Sequence, residues 1–385
     1  MTGTPREPGS GARDFLPEVN ELEGVAFGTG NLMHAGGPVA DQIKAQGRWL
    51  TERTKRYADR YQPLLGKFFS DIMPADRPAS VVYPFGGGDL VSCLLAFPDA
   101  KEITSLSLEY AGSPLAWKAL EGEALLACLK DLHEQIGGTL SVGSNTSRNL
   151  SEAQANPFPV QLTLWLAALR LHGQVPTQVR YFHLRNDGTL KYLSSEAIES
   201  ASSIKAKPLA DSWTQPHCPP VFANVEIRYT DARSTDAPER IFRHITCNLH
   251  NRRFCGHTAL QAHLKSKGKV AGLVKGASYH LWRDTFSDLR RYMLSNMPLI
   301  LSDSSGIPTG IAVCAGHEIQ TFGSFHGSFL KASDAHNRSL RDLWARNPHR
   351  PMPMRYGYVD CRNQPHLMIS QQRPRTTSPT PEMIG

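Results

Sequence analysis

Residues 81–108 form a β-α-β pattern, and this pattern limits the fold of the chain more than any other feature. Residues 81–83 predict a short strand, residues 86–88 a turn of three glycines, and residues 90–97 an apolar helix. A second strand-like run follows at 103–108. Two strands joined by one helix run parallel, and a parallel sheet is buried beneath helices. The sequence therefore predicts an α/β protein.

Other elements surround this unit. Residues 38–72 carry apolar side chains at helical spacing, so we expect a helical extension at 36–77 that covers the sheet. Asn186, Asp187 and Gly188 lie between two strand-like runs and accept the backbone angles of a tight turn. We therefore expect an inserted β-hairpin region at about 180–235.

The second half of the chain returns to alternating helices and strands. The strand-like runs lie at 241–248, 270–274, 298–301, 311–314 and 319–322. We predict one doubly wound α/β domain over 78–370, with a mostly parallel sheet. Residues 1–35 and 371–385 are rich in Gly, Pro or charge and lack periodicity, which predicts a mobile first segment and a disordered tail.

Composition restricts the functional classes. The 42 Lys and Arg exceed the 35 Asp and Glu by only seven and form no basic run, so nucleic-acid binding is not indicated. Residues 1–15 lack the apolar core of a secretory signal, and no window has the ~20 apolar residues of a membrane span. The seven cysteines are widely spread, unlike a disulfide framework. We expect a cytoplasmic protein that acts on a small molecule. The sequence does not determine its oligomeric state.

The three glycines carry the first functional hypothesis. Gly86, Gly87 and Gly88 let the backbone approach a ligand closely, at the start of a helix whose amides attract negative charge. The same glycines also suit a plain strand-to-helix turn. Glu109 ends the next strand, where a carboxylate can accept hydrogen bonds from a ribose diol. The pair is more specific than either feature alone.

This order of elements resembles the class I S-adenosylmethionine-dependent methyltransferases. In that family a glycine-rich loop follows the first strand, an acidic residue ends the second, and a short polar motif after the fourth lines the reaction site. The last two strands of the family form an antiparallel hairpin. The matching stretches here are Gly86 to Gly88, then Glu109, then residues 247–250, with 298–301 and 319–322 as the terminal strands. The resemblance therefore implies a Rossmann-like domain whose mostly parallel sheet ends in an antiparallel final hairpin. The family usually has its acid before the glycines, whereas here Asp89 follows them.

The resemblance implies a cofactor and a set of site residues. The cofactor would be S-adenosylmethionine, bound by residues of the glycine loop and by the following acid. The implied cofactor-binding residues are Tyr83, Gly86, Gly87, Gly88, Asp89 and Glu109. Asn248 and His250 would position the methyl acceptor, as the catalytic pair. The string YPFGGGD also resembles bacterial proteins of unassigned activity, which leaves a catalytically silent relative open.

Two further functions compete with methyl transfer. The first is a non-enzymatic small-ligand-binding or interaction module, which the lack of a clear general base favours. The second is a zinc-dependent hydrolase, because Cys and His are dense at 244–263. If 241–249 is a strand, however, His244 and Cys247 point to opposite faces, so we predict no metal site. Lys275 and Tyr279 also follow a strand, but their spacing selects no role.

Overall fold

The computed structural model describes residues 11–29, 37–140, 158–202, 218–329, 332–347, 350–357, 362 and 364–373. The strands are β1 (Ser80–Pro84), β2 (Glu102–Ser107), β3 (Gln174–Leu184), β4 (Leu190–Tyr192), β5 (Val225–Asp231), β6 (Arg240–Thr246), β7 (Ala271–Val274), β8 (Leu299–Ser302), β9 (His317–Gly323) and β10 (His366–Gln372). The α-helices are α1 (Leu16–Phe27), α2 (Pro38–Arg56), α3 (Gln62–Ile72), α4 (Leu90–Ala96), α5 (Gly122–Leu140), α6 (Val160–Leu171), α7 (Ser195–Ser202), α8 (Asn251–Phe254), α9 (Thr258–Ser266), α10 (Ser287–Asn296), α11 (Thr309–Cys314) and α12 (Asp334–Arg346). No helix within these ranges has the length and apolar character that crossing a membrane requires.

The ten strands form one mixed sheet, in the order β4-β3-β5-β6-β2-β1-β7-β8-β10-β9. Its centre is parallel, because β2 pairs with β6 and β1, and β7 pairs with β1 and β8, all in parallel. Antiparallel strands extend both sides: β3, β4 and β5 next to β6, and β10 and β9 next to β8. The α/β class predicted from the β-α-β pattern is confirmed.

The parallel strands β1, β2, β7 and β8 are buried on both faces, whereas β6 is only partly buried. Side chains alternate along β1, so Val81 and Tyr83 join one hydrophobic core while Val82 joins a second core on the opposite face. The first core contains residues of α1 to α6, and the second contains residues of α8 to α11. Helices therefore cover both faces of the central sheet.

A chain of buried and partly buried charges links the inserted strands to the parallel ones. Glu226 on β5 accepts hydrogen bonds from Arg180 at 2.8 Å and from Arg243 at 2.7 Å. Arg243 also pairs with Glu102 at 2.8 Å, and Lys267 donates to the same carboxylate. Burial alone would raise the pKa of Glu102 and Glu226, but these cations outweigh it and lower both values to about 2.

The last strands differ from the predicted arrangement. Residues 298–301 and 319–322 form β8 and β9 as expected, but these strands are not neighbours, since β10 lies between them and is antiparallel to both. Residues 311–314 were predicted as a strand and belong to helix α11 instead. Ile311 and Val313 are exposed on this short helix, which begins directly after Pro308, so their β-branched shapes do not decide its conformation.

Both chain ends also contain structure that the composition did not indicate. Helix α1 lies within the first 35 residues, and Phe15, Val19 and Leu22 are fully buried in the first core. The strand β10 continues through Gln371 and Gln372, so the predicted disordered tail does not begin at residue 371. The remainder of that tail, 374–385, lies outside the described residues, as do 1–10 and 30–36.

Candidate functional site

The carboxyl ends of the parallel strands converge at one edge of the sheet. In chain order, β1, β2 and β6 extend the sheet in one direction, and the chain then returns to place β7 on the other side of β1. This reversal makes the β1–β7 junction a topological switch point, where open α/β sheets bind their ligands. The loops after β1, β2, β7 and β8 therefore form the candidate site.

The loop after β1 is strained and closely packed. Phe85 has a φ of 61°, which is rare for a bulky residue, and Gly87 has a φ of 49°. A Cβ on Gly88 would lie 2.5 Å from Leu164 Cδ1 on α6, so a larger residue here would force the Leu164 side chain to move. Trp165 of the same helix donates from Nε1 to the Gly87 carbonyl at 2.9 Å. Helix α6 thus lies directly on the glycine loop.

Asp89 and Tyr83 hold this loop from the inside. Asp89 is the N-cap of α4 and accepts from the Ser92 amide at 3.2 Å, which fixes the start of the helix. Its other oxygen accepts from Tyr83 Oη at 3.0 Å and from Lys275 Nζ at 2.7 Å. Lys275 directly follows β7, and its ammonium lies 5.3 Å from the ring centre of Tyr356. The Asp89–Lys275 pair is buried and joins β1 to β7 across the switch point.

Glu109 lies two residues beyond the end of β2 and faces the glycine loop. Its Oε1 would be 3.1 Å from a Cβ on Gly87, and its side chain is buried. Oε2 has no hydrogen-bond partner of ordinary geometry among the described residues. Burial raises the pKa of Glu109, and the nearby Ser107 hydroxyl and backbone amides offset part of that rise. A buried carboxyl oxygen without a partner is costly, so this group is suited to accept a ligand hydroxyl.

The backbone of Glu109 is fixed by side chains from β6. Its carbonyl oxygen accepts hydrogen bonds from Thr246 Oγ1 at 2.7 Å and from His244 Nε2 at 2.7 Å. Burial lowers the pKa of His244 to about 4, so the ring is neutral at neutral pH. These two contacts hold the residue after β2 in place beside the loop after β1.

Gln161 on α6 is a site residue that the sequence analysis missed. It is 1% exposed, and neither its Nε2 nor its Oε1 has a hydrogen-bond partner among the described residues. Oε1 would be 3.1 Å from a Cβ on Gly88. Ser105 Oγ is likewise buried and unpartnered, 2.6 Å from a Cβ position on Gly86. Each of the three glycines therefore faces one polar side chain, counting Glu109, and no local sequence signal indicates this.

Asn248 and His250 stabilise the loop between β6 and α8. Asn248 Oδ1 accepts from the His250 amide at 3.0 Å, and His250 Nδ1 accepts from the Arg252 amide at 3.3 Å, which caps α8. The His250 ring packs 5.5 Å from Phe286, and Phe286 packs 5.9 Å from Phe85. These aromatic contacts connect His250 to Phe85, which precedes the glycines, and Asn248 is linked to His250 through the His250 amide.

The position of this pair in the sheet differs from the family pattern. Residues 247–250 follow β6, which is the third parallel strand in chain order, rather than the fourth. The fourth is β7, and the segment after it begins at Lys275. His280 in that segment lies 5.9 Å from Phe85 and 5.0 Å from Phe286. Both segments therefore contribute rings to the same aromatic cluster.

The Cys and His residues at 244–263 have separate structural partners. His257 Nδ1 accepts from the Leu260 amide and caps α9, and Cys255 contacts Asp288 at 2.7 Å. His263 Nδ1 bonds with the Gly188 carbonyl at 2.9 Å. In the part of the chain that the structure describes, no three His, Cys, Asp or Glu side chains are grouped as metal ligands. The geometry offers no support for a zinc hydrolase.

Comparison with known proteins adds no family to this geometry. No protein-family model matches the chain, and neither the curated proteins nor the solved structures contain a match.

Proposed function

We propose that this protein binds S-adenosylmethionine or its demethylated product beside Gly87 and Glu109, as a Rossmann-like relative of the class I methyltransferases. Glu109 carries the proposal, because it is a buried carboxyl group with an unpartnered oxygen at the end of the second parallel strand. An acid at this position is suited to a ribose diol. The strand order of the five parallel strands supports the same interpretation.

The residues around the loop suit an adenosyl ligand chemically. Glu109 would accept from the ribose hydroxyls, and the unpartnered amide of Gln161 could both donate to and accept from a base or an amino-acid group. The glycine loop would be kept in its strained conformation by the hydrogen bonds among Tyr83, Asp89 and Lys275, which would not contact the ligand. The glycines would permit close contact with the backbone.

Methyl transfer in this site would rest mainly on orientation. Bound S-adenosylmethionine supplies an electrophilic methyl group on a sulfonium sulfur. Holding an acceptor in line with that carbon removes a large entropic barrier and needs no strong base. His250 and Asn248 would orient the acceptor through the aromatic cluster of Phe85 and Phe286. The protein is thus proposed as a methyltransferase, or as a catalytically silent relative that keeps the crevice.

The packing of α6 favours a second candidate, a non-enzymatic small-ligand-binding or interaction module. Leu164 and Trp165 lie against Gly88 and Gly87, and all three glycines are buried. A helix in this position covers the side of the loop from which a cofactor would approach. In this alternative the glycines serve the packing of α6, and the ligand is smaller than an adenosyl group.

Calorimetric titration with S-adenosylmethionine and S-adenosylhomocysteine, together with thermal unfolding, tests the proposal. A ligand selective for the folded state stabilises it by about 2.7 kcal/mol at a hundredfold excess over Kd. We expect Glu109→Ala to lose ten- to a hundredfold in affinity, corresponding to about 1.5–3 kcal/mol for a charge-assisted pair of hydrogen bonds. Glu109→Gln, which keeps the shape, should lose less.

Glu226→Gln is the matched control, because Glu226 is equally buried but lies among arginines away from the loop. It should lower the melting temperature and leave affinity unchanged. Absence of heat and of thermal shift at millimolar ligand would remove the methyltransferase proposal and favour the binding module. A Glu109→Ala protein that is destabilised but binds normally would remove Glu109 from the site.

A further inference from the structure

A cavity of about 640 Å³ lies beside the candidate site and has no role in the proposal above. It is lined by Tyr279, Trp282, Arg283, Pro308, Ser333 and His336. These residues come from the segments after β7 and β8 and from the start of α12. The cavity therefore lies at the carboxyl edge of the parallel strands, and its volume is in the range typical of small-molecule sites.

The aromatic wall of the cavity is held in a fixed orientation. Trp282 Nε1 donates to the Gly306 carbonyl at 2.8 Å, which anchors the indole edge. Phe329 packs edge-on against the indole at 5.4 Å, and the His336 ring lies 4.2 Å from it. The indole is nevertheless only partly buried. A rigid, partly exposed aromatic surface can bind a planar ring with little loss of side-chain entropy.

The rest of the cavity lining contributes positive charge. Arg283 is exposed, and its guanidinium forms no ion pair with any described residue. Ser333 caps α12 by accepting from the His336 amide at 3.2 Å, so the positive end of a thirteen-residue helix meets the cavity. The half-buried His336 ring packs against the indole and completes this side of the lining. The cavity therefore combines a stacking surface with donors for an anion.

We propose that this cavity binds a planar aromatic molecule that carries a carboxylate. The ring would pack against Trp282 and Tyr279, and the carboxylate would accept from Arg283 and from the start of α12. Tyr279 stacks on His280 at 4.5 Å, and His280 lies 5.9 Å from Phe85 beside the glycine loop. Ring contacts therefore link the wall of the cavity to the glycine loop. A role of the cavity as the methyl-acceptor pocket rests on the proposed function. The proposal that the cavity binds an aromatic carboxylate does not depend on that function.

Three probes of similar size separate the two halves of this inference. Benzoate has both the ring and the charge, benzamide has only the ring, and cyclohexanecarboxylate has only the charge. We expect nuclear magnetic resonance titrations to show benzoate binding about tenfold more tightly than either of the others. Arg283→Gln should abolish the preference over benzamide. Trp282→Leu should abolish the preference over cyclohexanecarboxylate, with Trp282→Phe as a milder second variant.

Arg252→Gln is the control, since Arg252 is also exposed but lies on α8, outside the cavity. It should leave all three affinities unchanged. No saturable binding of benzoate at millimolar concentrations, or a benzoate preference that survives Arg283→Gln, would overturn the inference. Neither outcome involves the methyl donor, so the proposed function is judged separately by the adenosyl titration.

Discussion

The buried pair of Asp89 and Lys275 predicts strong thermodynamic coupling across the switch point. The two groups are 2.7 Å apart, and their side chains are only 4% and 8% exposed. Removing one partner of such a pair leaves an uncompensated charge, which typically costs about 3–5 kcal/mol. We therefore expect Lys275→Met to lower the free energy of unfolding by about 3–4 kcal/mol, since Asp89 keeps its bonds from Tyr83 and Ser92.

Asp89→Asn should cost a similar amount for a different reason. An amide nitrogen in place of Oδ2 would meet two donors, the Tyr83 hydroxyl and the Lys275 ammonium. The double variant has no buried charge left unpaired, so its loss should be well below the sum of the two single losses. We expect a coupling energy of roughly 2–3 kcal/mol.

Urea unfolding, followed by circular dichroism and by fluorescence, measures the four free energies. The exposed pair Lys67–Asp71, at 3.2 Å on α3, is the control and should show no resolvable coupling. Additive losses for Asp89→Asn and Lys275→Met would refute the reasoning. So would a loss below about 0.5 kcal/mol for Lys275→Met, which is the range of ordinary surface substitutions.

Two other predictions concern the charge chain and the glycine loop. The pKa values of Glu102 and Glu226 are lowered to about 2, so their stabilisation is fully present above the ordinary value of 4.5 and is lost as the pH falls through about 2. The urea concentration at the unfolding midpoint, measured from pH 7 downwards, should begin to decrease once the pH is below 4.5. The decrease should be less steep in Glu226→Gln than in the wild-type protein. Gly88→Ala should destabilise by about 1–3 kcal/mol through its clash with Leu164, as measured by urea unfolding, and Leu164→Ala should relieve part of the added loss. Gly310→Ala, with no atom within 4 Å of its Cβ, should be neutral or stabilising, and equal effects of both alanines would contradict the packing argument.

The local part of the fold was predictable from the sequence because local chemistry determines it. The runs that form β1 and α4 are mostly apolar, β2 alternates Ile103 and Leu106 with polar residues, and glycines separate the first strand from the helix. Each boundary lies within about two residues of the predicted one, the usual uncertainty of element ends. Long-range pairing was not predictable in the same way. The sequence HLMISQQ of β10 has a polar end, and only its position between two other strands explains its burial.

The candidate site was predictable in the same partial way. Three consecutive glycines after a strand indicated the loop, and the position of Glu109 at the end of the next strand indicated that residue. The partners of Asp89 and the neighbour of Gly88 were not predictable, because Lys275 and Gln161 reach the loop from elements far away in the chain. Neither Lys275 nor Gln161 lies in a sequence motif that identifies it as a site residue. Convergence of this kind is a property of the sheet order, which a single sequence does not reveal.

The insertion of β10 between β8 and β9 has a consequence for synthesis on the ribosome. Until residues 366–372 emerge, β8 and β9 must remain apart by two strand spacings, about 9.6 Å, or pair with each other incorrectly. At translation rates of roughly 5–20 residues per second, this interval lasts a few seconds. During it, both strands present open edges that can recruit other chains. Truncation before His366 should therefore produce aggregation rather than a slightly smaller soluble protein.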